Sequence, residues 1–305
     1  MNQRVGFIGL GAMGLGMSIN LHRAGFSVRG FDLAAAKSKA LEAAGGAAEA
    51  TAAAAAEGAE LLHICVFNAA EAGELLAPDA DVMSVLPAGA TVVMHTTMAP
   101  AEGRALAEGV ASGGFDYLEA PVTGGQRGAD EGTLTAIVAG SEAAMAAARP
   151  ALDAMCNRVY RVGERAGAAA TVKMINQLLV GVHMTAAAEA MALAVRAGAD
   201  PNVTFDVIHN GRGNSEIFSA RVPSVLAGAP EASRTVEIFL KDLAIVLQAG
   251  RDLAMPLPLT ANAHQLFVSA AAMDAGGDAQ PSMFKLYEAL SGIDIAASAA
   301  ANTAQ

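Results

Sequence analysis

Cysteine and charge are both scarce in this chain. Its 305 residues include two cysteines, Cys65 and Cys156. Two thiols cannot build a disulfide framework, and neither lies in a CxxC or Cys/His spacing that suits zinc. The histidines at 22, 63, 95, 183, 209 and 264 are dispersed, with no HxxxH pair, so no metal site is expected. A reducing, cytoplasmic setting is the expectation. Charged residues are 16% of the chain against 53% hydrophobic, which excludes a disordered protein. The net charge of −11 excludes a nucleic-acid partner, because neutralising phosphates takes clustered Lys and Arg. No secretory h-region precedes the β-type run Arg4–Ile8, so no leader is expected. The longest apolar stretch, Ala166–Gly198, contains Lys173, Asn176, Gln177, His183, Glu189 and Arg196. It is therefore expected to be a long buried helix, with no membrane partner. Internal repeats are absent as well.

Alternation is what the first half has. Short β-type runs recur at Arg4–Ile8, Ser27–Phe31, Leu61–Phe67, Thr91–Met94, Asp116–Glu119 and Leu134–Val138. Helical patterns lie between most of them, for example Met13–Ala24, Ala34–Ala44, Pro100–Ala111 and Glu142–Ala154. Such alternation implies right-handed crossovers and a mostly parallel sheet. The Ala tract 52–56 reads as a surface helix. From about 165 the β pattern stops and helical segments follow, at Glu164–Gly198, Thr204–Asn210, Thr235–Arg251, Leu259–Asp274 and Ser282–Leu290. Pro201, Pro223, Pro230, Pro256, Pro258 and Pro281 punctuate them. The length suits two domains at roughly 150 residues each. The expected architecture is an α/β Rossmann-type N-terminal domain, 1–163, and an all-α C-terminal domain, 164–305. A long connecting helix over about 164–198 joins the two.

Gly9-Leu10-Gly11-Ala12-Met13-Gly14 follows the first strand directly and opens a helix. In that setting GxGxxG is a dinucleotide-binding turn. The first glycine permits the tight turn, the second lets backbone approach a pyrophosphate, and the third lets helix and strand pack. The helix N-terminus then offers free N–H groups to the phosphates. Asp32 ends the second strand, where a carboxylate accepts the ribose hydroxyls and repels a 2′-phosphate. Leu33 follows it, not Arg, so NAD is expected over NADP. The competing role for Asp32 is an N-cap of the next helix. Met13 and Met17, four apart on the first helix, are expected to pack in the core.

The stretch from Phe7 to Leu21, FIGLGAMGLGMSINL, resembles the N-terminal signature of the β-hydroxyacid dehydrogenases, the 3-hydroxyisobutyrate dehydrogenase-related family. Three further segments resemble family motifs in order. Glu119-Ala120-Pro121-Val122-Thr123-Gly124-Gly125 is similar to its substrate-binding loop. Gly167 with Lys173-Met174-Ile175-Asn176-Gln177 is similar to its catalytic helix. Phe239-Leu240-Lys241-Asp242-Leu243 is similar to its late Lys-Asp motif. The segment 182–198 and Gly213-Asn214-Ser215 resemble the L-threonate dehydrogenase branch. The chain departs from the pattern with Glu119 for Asp, Thr123 for Ser and Gln177 for Asn. The first two could change which acid fits.

Lys173 is flanked by Val172, Met174, Ile175 and Leu178, with no acidic residue within four positions. A Lys at a helix surface usually snorkels. One desolvated in this way has a lowered pKa and can exchange a proton near neutrality, as oxidation of a carbinol requires. With the resemblance added, Lys173 is the expected general acid/base. Asn176, three positions on, shares its face and is expected to hold the reacting oxygen or the amine. Gln177 is placed similarly and is a weaker candidate. Thr123, Gly124 and Gly125 are expected to bind the substrate carboxylate through backbone N–H groups and a hydroxyl, although an ordinary Gly-Gly turn fits as well. The segment Thr96–Pro100 reads as a helix cap. The resemblance implies that Thr97 contacts the nicotinamide end and that Lys241 lies over cofactor and substrate. Phe67 and Asn68 are expected along the cofactor path at a strand end. Asp242 is expected to orient Lys241.

These readings imply an NAD-dependent dehydrogenase acting on the CH–OH group of a small hydroxy acid, either a sugar acid or a 3-hydroxyisobutyrate-like acid. The alternatives are a reductase of the tartronate or succinic semialdehyde type and a non-catalytic nucleotide-binding relative. Apolar Ala-rich helices in the second half imply a homodimer or homotetramer.

Overall fold

The computed structural model describes residues 3–229, 235–273 and 282–303. Pro230, Pro281 and the expected helix end at Asp274 lie outside them. The chain forms two compact units, Met1–Met174 and Ile175–Gln305.

The first unit runs β1 (Arg4–Ile8), α1 (Gly14–Arg23), β2 (Ser27–Phe31), α2 (Ala35–Ala43), β3 (Ala47–Ala48), α3 (Ala52–Ala56) and β4 (Leu61–Ile64). It continues through α4 (Ala69–Leu75), α5 (Asp81–Val85), β5 (Thr91–Met94), α6 (Pro100–Ser112), β6 (Asp116–Glu119), β7 (Val122–Thr123) and α7 (Gly125–Glu131). It closes with β8 (Leu134–Gly140), α8 (Glu142–Met155), β9 (Cys156–Gly163) and the start of α9 (Ala168–Arg196). The sheet order is β3-β2-β1-β4-β5-β6-β8-β7, with β9 paired to β8. The six strands from β3 to β6 are parallel neighbours, whereas β8 runs antiparallel to β6 and β7. This is the doubly wound order, and it reverses direction between β1 and β4.

Strand residues alternate between two cores. Phe7, Leu61 and Val93 join one buried cluster, and Ile8, Leu62, Ile64, Val92 and Met94 join the other. Both faces are therefore covered, which explains why these strands read as nearly continuous apolar runs. The Ala tract of α3 is not a plain surface helix. Ala55 and Ala56 are fully buried, because α3 lies close over β1, where a Cβ on Gly6 would meet the Ala55 carbonyl at 2.6 Å. Met17 is fully buried and Met13 packs at the edge of its core.

The run expected to reach Phe67 as a strand ends at Ile64. β3 and β7 are two-residue strands with no pattern to show them. β9 has no buried face, since it is an edge strand held by its ladder to β8, and so it carries no hydrophobic alternation.

The second unit contains the rest of α9 with α10 (Pro201–His209), α11 (Glu216–Leu226), α12 (Thr235–Asp252), α13 (Pro258–Met273), α14 (Met283–Ser291) and α15 (Ile295–Thr303). Met184, Met191, Phe218, Phe239, Leu243, Phe267 and Phe284 form its core. α11 and α15 were not expected. α11 carries Pro223 in its interior, where proline argues against a helix. α9 is bounded by glycines in the left-handed region, Gly167 (φ 91°) and Gly198 (φ 78°), and is shorter than 164–198. By length and composition α9 could cross a membrane, but its most apolar stretch is 39% buried. Ile175, Leu179 and Leu193 are exposed, so the expectation of a buried helix is corrected to a half-buried one.

Candidate functional site

The β1–α1 turn is held from below. Gly9 has φ 92°, and a Cβ on it would meet the Cys65 carbonyl oxygen at 2.4 Å. A Cβ on Gly14 would lie 1.9 Å from the Gly9 oxygen, so helix and turn meet there with no space for a side chain. Gly11 is different, because a Cβ there would meet nothing within 4 Å. Among the described residues no atom requires that glycine. It leaves open the cradle that backbone approach to a pyrophosphate needs, and the turn fits a dinucleotide on that ground. Asp32 performs two tasks at once. Its Oδ2 accepts from the Leu10 N–H (2.7 Å) and its Oδ1 from the Ala34 N–H (2.8 Å), so it ties the glycine turn to the start of the next helix. Ala12 on the same turn is exposed.

Phe67 and Asn68 lie on the loop after β4, beyond the strand end where they were expected. The Asn68 side chain caps α4 by accepting from the Glu71 N–H (2.9 Å), while Glu71 accepts from the Phe67 N–H (3.0 Å). Thr96 donates to the Val66 carbonyl (3.2 Å) and accepts from the Val66 N–H (3.1 Å), which locks this loop to the one bearing Thr97. The expected threonine cap on α6 is not formed. Its N-cap is Ala99, whose N–H donates to Glu102 (2.7 Å).

The segment before the glycine pair is pinned from two directions. His95 Nδ1 lies 2.7 Å from the Ala120 carbonyl and must donate to it, so its Nε2 accepts from His63 Nδ1 at 2.8 Å. His63 Nε2 is left as a bare, buried lone pair with no hydrogen-bond partner among the described residues. Burial holds His95 at a pKa of about 4 and His63 well below the ordinary imidazole value. Both rings are neutral and stack in line with Phe7. Glu119 is buried as well, and its Oε2 accepts from the N–H groups of Gly167 (2.9 Å), Ala169 (2.9 Å) and Ala170 (3.2 Å). Burial raises its carboxyl above the usual range, with the three amides acting against that. Glu119 thus holds the first turn of α9. Past Pro121, Thr123 is half-exposed, and Gly124 (φ 128°) and Gly125 (φ 66°) are exposed. Lys173 is on α9 one turn beyond Ala169 and is 7% exposed.

In the second unit a polar chain runs through the helices. Asn176 Nδ2 donates to Gln177 Oε1 (3.1 Å), Gln177 Nε2 to Asp242 Oδ2 (2.6 Å), and Lys241 Nζ lies 2.5 Å from Asp242 Oδ1. Asp242 is 2% exposed and the Lys241 side chain 18%, so this is not a charge pair on a solvated helix. A Cβ on Gly181 would press on Leu243 at 2.9 Å, so that glycine lets α12 approach α9. Gln177 is the weaker candidate by sequence, yet it is the residue that bonds Asp242. Two polar residues among apolar flanks were the only available signal.

Residues 4–163 match the family model for the NAD-binding domain of 6-phosphogluconate dehydrogenase. Residues 167–287 match that for NAD-binding of NADP-dependent 3-hydroxyisobutyrate dehydrogenase. An L-threonate dehydrogenase from Cupriavidus necator is 39% identical over 287 residues, covering 94% of this chain and 97% of that protein. Among solved structures, 3-hydroxyisobutyrate dehydrogenase from Salmonella typhimurium superposes with a TM-score of 0.86 at 37% identity, covering 94% of this chain and 100% of that one. Psf3, solved with NADP+ and 2-OPP, superposes with a TM-score of 0.83 at 28% identity, covering 94% and 99%. The chain belongs to the 3-hydroxyisobutyrate dehydrogenase family, in its L-threonate dehydrogenase branch.

Proposed function

We propose that this protein oxidises a small sugar acid of the L-threonate type with NAD, using Lys173 as general acid/base. The chain is a hydroxy-acid oxidoreductase that binds NAD(P). The observation that carries the finer reading is the burial of Lys173 in the unit that also holds the glycine turn and the Thr123–Gly125 segment. Gly9, Leu10, Gly11, Ala12, Met13 and Gly14 would hold the pyrophosphate, with Asp32 toward the ribose and Phe67, Asn68 and Thr97 along the path to the nicotinamide. When bound, the cofactor supplies the hydride acceptor. Lys173 Nζ takes the hydroxyl proton as the carbinol is oxidised. Asn176 orients the reacting oxygen, while Thr123, Gly124 and Gly125 take the carboxylate. Lys241, held by Asp242, would supply a positive charge for cofactor and substrate.

The functional division would fall at 163/164, with α9 carrying the catalytic pair. The setting would be cytoplasmic. Exposed Leu193, Val203, Val207, Leu253, Met255 and Leu259 on the helical unit support a homodimer or homotetramer. Asp32 favours NAD, because its carboxylate repels a 2′-phosphate. The competing reading is a semialdehyde reductase that prefers NADPH.

A panel of hydroxy acids with NAD or NADP, followed at the nicotinamide absorbance, tests the proposal. L-threonate with NAD should give the highest kcat/KM, and Lys173→Ala should lower kcat by roughly 10²–10⁴. Faster reduction of tartronate semialdehyde with NADPH would replace it by the reductase reading. Light scattering on the same preparation reads the assembly, and a monomer would refute the oligomer.

A further inference from the structure

Glu119 is a carboxylate at the end of β6, 2% exposed, on a strand that otherwise contributes to core and loop. Its Oε2 collects three backbone N–H groups from the entry to α9, those of Gly167, Ala169 and Ala170. Its Oε1 has no hydrogen-bond partner among the described residues. That oxygen faces α6 at Gly103, where a Cβ would come within 2.4 Å of it. α6 thus passes over the carboxylate at the one kind of residue that leaves it room. Gly167, with φ 91°, immediately precedes α9 and lies close against α6, where a Cβ would meet the Pro100 carbonyl at 2.9 Å.

Ala169 and Lys173 are four apart on one helix, and side chains lean toward the helix N-terminus. The carboxylate that binds the Ala169 amide therefore sets the rotation and axial position of the face from which Lys173 emerges. An ordinary helix cap is a Ser, Thr, Asp or Asn within the same segment. Here the cap comes from a strand 48 positions earlier, next to Ala120, whose own carbonyl is held by His95. One short segment therefore connects the expected substrate loop to the expected catalytic helix.

We infer that Glu119 is a positioning residue for Lys173, clamping the first turn of α9 so that the amine is delivered to the loop that begins at Pro121. The inference rests on Lys173 being the acid/base. A displacement of about 1 Å at a reacting group costs up to about 10²-fold in rate. Losing the clamp should therefore be read in turnover and not in cofactor binding, which belongs to the Gly9–Gly14 turn.

The test compares Glu119→Ala, Glu119→Gln and Gly103→Ala with wild type and Lys173→Ala, all at saturating NAD and L-threonate. Glu119→Ala should lower kcat roughly 10- to 100-fold, with the NAD dissociation constant unchanged and a larger solvent deuterium isotope effect on kcat. Glu119→Gln keeps an acceptor oxygen and should recover most of the rate. Gly103→Ala should give the slow phenotype with Glu119 intact, since the added methyl displaces the carboxylate. It also carries the decision if Glu119→Ala does not fold. Wild-type kcat and isotope effect in a folded Glu119→Ala or Gly103→Ala would overturn the inference. So would a lowered melting temperature with turnover unchanged, the mark of a cap that only stabilises. Near-wild-type turnover in Lys173→Ala would remove the acid/base reading itself. An inactive Lys173→Ala beside unaffected Glu119 and Gly103 variants would remove this inference alone.

Discussion

In the first unit the glycine-rich turn Gly9–Gly14 is made of backbone. Its positions are set by neighbours in sequence, by the Cys65 carbonyl beneath Gly9, and by one carboxylate, Asp32, that reaches back to Leu10. In the second unit Lys241 is held by side chains. Asp242 pairs with it and is itself held by Gln177, 65 positions away. A backbone cradle fails where an added atom would meet its own backbone or the strand beneath, as at Gly14 and Gly9. A side-chain chain tolerates volume changes poorly and also fails when a single donor is lost, because a buried carboxylate is left under-bonded. The two regions should therefore break in different ways.

The largest effect should come from Gly14→Ala. A methyl 1.9 Å from the Gly9 oxygen forces the turn apart, so cooperative unfolding of the first unit and NAD binding should both be lost, as read by calorimetry and nucleotide titration. Gly11→Ala sharpens the contrast. Its methyl meets nothing within 4 Å among the described residues, so melting should be unchanged while NAD binds roughly tenfold or more weakly, at about 1.4 kcal/mol per tenfold. Equal NAD affinity in Gly11→Ala would show that the open cradle is not the phosphate site.

In the second unit, Gln177→Leu keeps the side-chain bulk but removes the donor to Asp242 Oδ2. It should cost about 1–3 kcal/mol in denaturant unfolding and raise KM for the acid. A neutral Gln177→Leu would mean that Asp242 and Lys241 support each other without it.

The smallest effect should come from pH. His63 and His95 are buried neutral, with folded pKa values below those of the unfolded chain. On acidification the unfolded state takes up protons first. Their contribution to stability is thus full above about pH 6.5 and declines as the pH falls toward 4. Unfolding midpoints from pH 7.5 to 4.5 should drop most steeply below 6.5, and a flat profile would show that the pair is not buried in solution.

Much of the first unit was legible in sequence because its strands are short apolar runs separated by helical periods, and because glycine at a strand-to-helix turn has few other uses. Boundaries of β1, β2, β5 and β6 agree with the sequence to the residue. The failures have physical causes. β9 is an edge strand stabilised by its ladder and shows no alternation. The run at Leu61–Phe67 is apolar throughout, but pairing with β1 and β5 stops at Ile64, so Phe67 and Asn68 fall on a loop. In the helical unit, patterns located five helices, and Pro223 concealed a sixth, α11.

At the candidate site, residue types and order were readable, but partners were not. Gly9, Gly11, Gly14, Asp32 and Lys173 stood out from their neighbours as candidates, since a glycine-rich strand-to-helix turn and a Lys among apolar residues are local properties. The bonds from Glu119 to α9, from His63 through His95 to Ala120, and from Gln177 to Asp242 each join residues 25 to 65 positions apart. A hydrogen bond depends on direction and distance to within a few tenths of an ångström, and only packed strands and helices set these. Sequence alone therefore determined the glycine-rich turn, the alternating sheet and the helical half. Tertiary structure decided which buried polar groups hold one another, and so turned Glu119 from a variant of the substrate loop into the anchor of α9.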